Sequence, residues 1–237
     1  MVEFLGKRKR KEQIPRLQVA LDFENIEDAL TIAKEVAPFV DIFEAGTPLI
    51  KSEGVRVIRI LKEAYPNKLI CADLKTADAG YLEVRMAAKA KADIVTVLAD
   101  AYNITIKEAL RAAHEFQVEI IVDLIMSRKP SKRLAEIINI SHNGTKIHYA
   151  LVHSGLDRQS SRRAPLSELD SITHIQNHPR LAIAGGIREM DIPQLLAYPL
   201  DIIIIGGGIT RAENPGNAAE KIQKVIHKYF NHNRSIY

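Results

Sequence analysis

Short runs of aliphatic and β-branched residues alternate along this chain with longer stretches whose apolar positions recur at helical spacing. The short runs predict strands at Leu17–Phe23, Asp41–Ala45, Leu69–Lys75, Asp93–Leu98, Glu119–Ile125, Tyr149–His153, Leu181–Ala184 and Ile202–Ile205. Helices are predicted between them, near 26–38, 51–64, 80–91, 103–116, 131–139, 165–174, 190–197 and 215–230. Near-continuous apolar strands indicate a parallel sheet covered on both faces. Eight strand–helix units in sequence predict an α/β fold, a single-domain (β/α)8 TIM barrel over residues 16–237. An open doubly wound sheet is the alternative, but its glycine fingerprint is missing: the first strand leads into Glu24-Asn25-Ile26. Residues 1–15 read as a basic extension outside the barrel, and Asn231–Tyr237 as a tail.

Composition narrows the class without naming a chemistry. Of the 237 residues, 46% are hydrophobic, enough for a full core. A lone cysteine, Cys71, lies inside an apolar run, which excludes a disulfide framework and points to a reducing, cytoplasmic setting. No apolar run has the length of a membrane span, and Lys7–Lys11 stand where a signal peptide needs its apolar region. The net charge of +4 is concentrated in that basic run, while both signs mix elsewhere and tryptophan is absent. A solvated tail explains this better than a nucleic-acid arm.

Chemistry in such a barrel gathers where strands end and the following loops begin. The first strand carries Asp22 there, the second Glu44, the third Asp73 and Lys75 with Asp78 just beyond, and the sixth His153. Strand alternation points Asp73 and Lys75 the same way. Two acids and a base at one strand end form either a pocket of mutually tuned charges or a surface ion-pair network. Glu44 and Asp73, on neighbouring strands, suit Mg²⁺, with Mn²⁺ also possible, because such cations bind through one or two carboxylates plus water and substrate. The competing reading has Lys75 neutralise both acids with no metal. His153 has no neighbouring histidine with which to hold zinc, and at this position it reads as a general base.

The last two strands end in glycines, Gly185-Gly186 and Gly206-Gly207-Gly208, with Arg188 and Arg211 close behind. Glycine admits an anion close to backbone N–H groups, so Gly185, Gly186, Gly207, Gly208 and Arg211 are candidate phosphate contacts.

With these residues in place, the chain resembles the orotidine 5′-monophosphate decarboxylase superfamily and, within it, the 3-hexulose-6-phosphate synthase family. The resemblance rests on Glu44–Gly54, on Asp73-Leu74-Lys75-Thr76-Ala77-Asp78 as D-x-K-x-x-D, and on His153-Ser154-Gly155-Leu156-Asp157-Arg158-Gln159 as H-x-G-x-D-x-Q. It spans roughly residues 16–230. It implies a metal-dependent aldol reaction of formaldehyde with D-ribulose 5-phosphate, in either direction. Glu44 and Asp73 would hold Mg²⁺, His153 would remove the proton beside the ketone, Lys75 would stabilise the enediolate, and Asp22 would contact substrate hydroxyls. Asp78 would reach the partner's site in a homodimer. The superfamily often carries an arginine directly after the glycine that ends the eighth strand; here that position is Gly207, so backbone donors or Arg211 must serve.

The nearest rival is 3-keto-L-gulonate-6-phosphate decarboxylase, whose sixth-strand segment has an arginine where this chain has Leu156. A non-catalytic sugar-phosphate-binding barrel and a basic RNA-binding protein are readings of another class. The full acid–lysine–histidine set disfavours the first, and the dispersed charge disfavours the second.

Overall fold

The computed structural model describes residues 13–155 and 165–234. The extension up to residue 12, and Leu156–Gln159 of the H-x-G-x-D-x-Q segment, therefore lie outside the described residues. Eight strands close into a parallel barrel: β1 (Arg16–Leu21), β2 (Ile42–Ala45), β3 (Leu69–Thr76), β4 (Ile94–Leu98), β5 (Glu119–Asp123), β6 (Tyr149–His153), β7 (Arg180–Ala184) and β8 (Leu200–Ile205). Each strand pairs with its neighbours in sequence, and β1 closes the ring on β8 through Arg16 opposite Ile202 and Val19 opposite Ile205.

The outer helices are α1 (Ile26–Val36), α2 (Thr47–Glu53), α3 (Arg56–Ala64), α4 (Gly80–Lys89), α5 (Asn103–Phe116), α6 (Pro130–Ile137), α7 (Leu166–Thr173), α8 (Ile192–Leu195), α9 (Gly207–Thr210) and α10 (Pro215–Arg234). Local chemistry sets several boundaries. Asn25 caps α1 by accepting the Asp28 N–H at 2.8 Å. The helix expected over 51–64 is two helices, because Gly54 takes φ +75° and ends the first. The helix expected near 190–197 is a 3₁₀ turn, Glu189–Asp191, followed by α8 with its early proline. An expected loop instead holds a hairpin, Ser141–His142 with Thr145–Lys146, turned by Asn143-Gly144 at positive φ. The final helix continues through Arg234, past the point where a tail was expected.

Strand alternation divides the core. Leu17, Val19 and Leu21 of β1 join the layer between strands and helices, while Ala20, Ile42, Cys71, Ile94, Ile121, Leu151, Ala182 and Ile204 fill the interior. Cys71 is fully buried there, and its thiol is pushed well above its ordinary value by burial and by Glu44 and Asp73, so it behaves as a small apolar residue. The amino-terminal end of the barrel has a polar floor. The Tyr149 hydroxyl donates to Glu119 at 3.0 Å, Arg180 pairs with Glu119, and the Arg180 guanidinium lies 3.9 Å above the Tyr149 ring. Burial, then Glu119, pushes the Tyr149 hydroxyl up to about 12.

Candidate active site

The carboxyl end of the barrel gathers the charged residues that the apolar strands leave over. Asp73 ends the regular part of β3 and is 3% exposed. Its Oδ2 pairs with Lys75 Nζ and accepts from Thr47 Oγ1 at 2.7 Å; its Oδ1 accepts from Thr96 Oγ1 at 2.8 Å. Burial alone would raise the Asp73 carboxyl, but Lys75, Thr47 and Thr96 hold it below its usual range. The two residues do face the same way, though not through a regular strand. Lys75 sits at φ +47°, and the β3–β4 pairing shifts register between Ala72 and Thr76. Its N–H is held by Thr96 Oγ1 at 2.9 Å. Burial would lower the Lys75 ammonium, yet Asp73, Asp123 and Glu44 raise it, so it stays charged.

Glu44, on β2, is 7% exposed. Gln18 Nε2 donates to its Oε2. Burial, with Asp73 and then Asp22 nearby, pushes the Glu44 carboxyl well above its ordinary range. Asp22 stands open at the rim just beyond β1, and its carboxyl is also raised, by desolvation and by Asp73, against Lys75, His153 and Arg211. Gly46 is required beside it: a Cβ there would come 2.2 Å from Asp22 Oδ1 and 2.8 Å from the Leu21 carbonyl oxygen. The mouth thus brings together Asp22, Glu44, Asp73, Lys75 and His153, as the sequence predicts.

This donor set fits a hard divalent cation. Three carboxyl groups, Asp22, Glu44 and Asp73, crowd about the Lys75 ammonium, with His153 and Arg211 also acting on Asp22; burial first, and then the two acids, raises the Glu44 carboxyl. Among the described residues no group of three or more His, Cys, Asp or Glu is arranged to hold a metal unaided. Mg²⁺ does not require one, since it keeps several waters and binds through one or two carboxylates with its substrate.

His153 ends β6, and its Nδ1 lies 2.9 Å from Asp123 Oδ2. Asp123 ends β5, is fully buried, and accepts the Ile125 N–H on Oδ1 at 2.9 Å. A carboxylate can only accept, so Nδ1 carries the proton and Nε2 is left to exchange one at the mouth. Sequence reasoning missed Asp123, along with Gln18, Thr47 and Thr96. An acid inside the apolar run Glu119–Ile125 was the available signal, because buried charge requires a partner.

Across the mouth, Gly185 (φ +104°) and Gly186 (φ +67°) turn the chain sharply after β7; a Cβ on Gly185 would meet the Ser154 carbonyl oxygen at 2.2 Å. After β8, a Cβ on Gly207 would lie 2.1 Å from Arg211 Nη2. The Arg211 guanidinium therefore rests directly on Gly207, bringing a cation back to the position where the superfamily often carries an arginine. Gly208 faces the Ile187 carbonyl oxygen, 2.4 Å from where its Cβ would stand. Asp78 does not join the cluster. It is exposed beyond β3, with Oδ1 accepting the Ala79 N–H at 2.7 Å.

Known proteins show the same arrangement of chain. The chain is 37% identical over 210 residues to the 3-hexulose-6-phosphate synthase of Bacillus subtilis (strain 168), covering 89% of this chain and 98% of that one. It is 36% identical, with the same coverage, to the 3-hexulose-6-phosphate synthase of Staphylococcus haemolyticus (strain JCSC1435). Among solved structures it superposes on 3-hexulose-6-phosphate synthase from Salmonella typhimurium with a TM-score of 0.84 at 33% identity, covering 90% of this chain and 99% of that one. It also superposes on KGPDC from Streptococcus mutans, with a TM-score of 0.82 at 29% identity, covering 91% and 99%. The profile of the Orotidine 5'-phosphate decarboxylase / HUMPS family matches residues 15–222. With the barrel closed in the expected order and the profile running from β1 into α10, this chain belongs to the Orotidine 5'-phosphate decarboxylase / HUMPS family.

Proposed function

We propose that the chain catalyses the aldol condensation of formaldehyde with D-ribulose 5-phosphate to D-arabino-3-hexulose 6-phosphate, and its reverse, through an enediolate. The observation that carries this reading is the pairing, at one barrel mouth, of a buried carboxylate couple with a histidine held by a buried acid. The names of the relatives support the choice of substrates.

Glu44 and Asp73 would hold Mg²⁺, or Mn²⁺ in its place. Such an ion would supply Lewis-acid stabilisation of the negative charge that develops on the substrate. His153 Nε2 takes the proton from the carbon next to the ketone, with Asp123 fixing the ring. Lys75, kept charged by its acidic neighbours, faces the enediolate oxygens. The enediolate carbon then bonds to the formaldehyde carbon, and the new alkoxide takes up a proton. Asp22, at the rim, would contact substrate hydroxyls. Gly185, Gly186, Gly207 and Gly208 with Arg211 would receive the phosphate.

The working assembly in this reading is a homodimer in which Asp78 completes the neighbour's site. Asp78 is exposed at the head of α4, and Leu82 and Met86 of α4, with Tyr102 and Ile104 at the start of α5, are exposed apolar side chains on two helices that pack together. The two helix starts are locked together, since a Cβ on Gly80 would strike the Thr105 carbonyl oxygen at 2.2 Å. No helix among the described residues is long and apolar enough to cross a membrane. A single buried cysteine fits a cytoplasmic enzyme.

Incubation with ribulose 5-phosphate, formaldehyde and Mg²⁺, with identification of the product, tests the proposal. Formation of the hexulose phosphate, lost in excess EDTA, supports it. Release of CO₂ from 3-keto-L-gulonate 6-phosphate without aldol product would favour the decarboxylase. No turnover of either, with sugar phosphate still bound, would leave a binding protein.

A further inference from the structure

We propose that Gln18 is the positioning residue for the Glu44 carboxylate, fixing one of its oxygens from within the barrel so that the acid faces a divalent cation at the mouth. The inference rests on the reading of Glu44 as a metal ligand. Gln18 lies on β1 opposite Ile42, and the next interior residue of β1, Ala20, lies opposite Glu44. Gln18 is therefore one layer below the acid, and its amide comes up from beneath.

The surroundings make glutamine a costly occupant. Gln18 is fully buried, opposite Ile42 and Ile204 on the neighbouring strands, and the Cys71 thiol is a weak second hydrogen-bonding neighbour. Nε2 donates to Glu44 Oε2, while Oε1 has no hydrogen-bond partner. A residue kept only for packing would be apolar, and one kept only for polar satisfaction would be paired at both ends. A half-paired amide is explained by the one strong bond it makes, to the Glu44 carboxyl. Its neutrality matters equally. A lysine or arginine here would orient Glu44 but cancel the charge that a cation needs. A neutral donor holds the carboxylate and leaves its charge in place.

Titrating EDTA-treated, dialysed protein with Mg²⁺ or Mn²⁺ by calorimetry, without substrate, tests this in wild type, Glu44→Gln, Gln18→Met and Gln18→Leu, together with the metal-free Tm of each. Gln18→Met should keep or raise the metal-free Tm, because an unpaired buried oxygen is gone, while metal affinity falls about 10-fold or more. Saturating metal should then recover most of kcat. A lowered Tm with unchanged metal affinity in both Gln18 variants would make the residue structural and overturn the proposal, as would failure of both to fold. Equal affinity in wild type and Glu44→Gln would overturn the metal reading itself, and this proposal with it.

Discussion

His153 Nδ1 lies 2.9 Å from Asp123 Oδ2, and Asp123 has no exposure to solvent at all. Asp123→Asn keeps the shape but offers an amide that can donate to Nδ1. The ring proton would then move to Nε2, where a base needs a lone pair. Turnover should drop by about 10²-fold or more, the lower end of a general-base contribution. Exchange of the substrate α-proton with solvent should slow in parallel, with KM little changed. Normal exchange in Asp123→Asn would separate the acid from the chemistry.

Burial, Asp73 and Asp22 lift the Glu44 carboxyl well above its ordinary 4.5. The folded, metal-free protein thus binds that proton more tightly than the unfolded chain does. Its stabilising contribution is complete below the unfolded value and is lost as pH rises through the folded one. The metal-free Tm should therefore decline with rising pH above about 4.5, more steeply in wild type than in Glu44→Gln. Added Mg²⁺ should reverse the decline, binding more tightly as pH rises because it displaces a proton. Parallel Tm profiles in the two proteins would contradict this assignment.

Arg211 rests on Gly207 and should carry the positive charge of the phosphate site. Arg211→Ala should raise KM for ribulose 5-phosphate about 10-fold, on the scale of one charge-assisted hydrogen bond. It should change kcat far less and weaken competitive inhibition by inorganic phosphate. Unaltered phosphate inhibition would leave the anion to the backbone donors of Gly185, Gly186, Gly207 and Gly208 alone.

Asp78→Ala and His153→Ala should each be nearly inactive, yet subunit exchange between them should restore part of the activity. A mixed dimer holds one site with neither substitution if Asp78 acts across the interface. Demonstrated exchange with no recovery would assign Asp78 to its own subunit.

The barrel was legible because apolar runs free of alternation have few other interpretations, and the rim acids were legible because they follow such runs. Asp123 and Gln18 were not, for a shared reason. The apolar run continues through Ile125, which puts Asp123 inside the expected strand instead of at its end, where β5 in fact stops. Gln18 lies within β1, where a single amide among aliphatic residues carries no local pattern. Both matter through partners on another strand, 30 and 26 positions away, and no window on the sequence joins them. Thr47 and Thr96 were hidden similarly, since their hydroxyls matter only once β2, β3 and β4 are adjacent.

The packed interior, with Glu119, Tyr149 and Arg180 beneath it, closes the barrel at its amino-terminal end and leaves the carboxyl end as the open side. Traffic has one doorway, shared by arrivals and departures. In the proposed reaction, a one-carbon fragment would therefore enter and leave on the same side as the sugar phosphate.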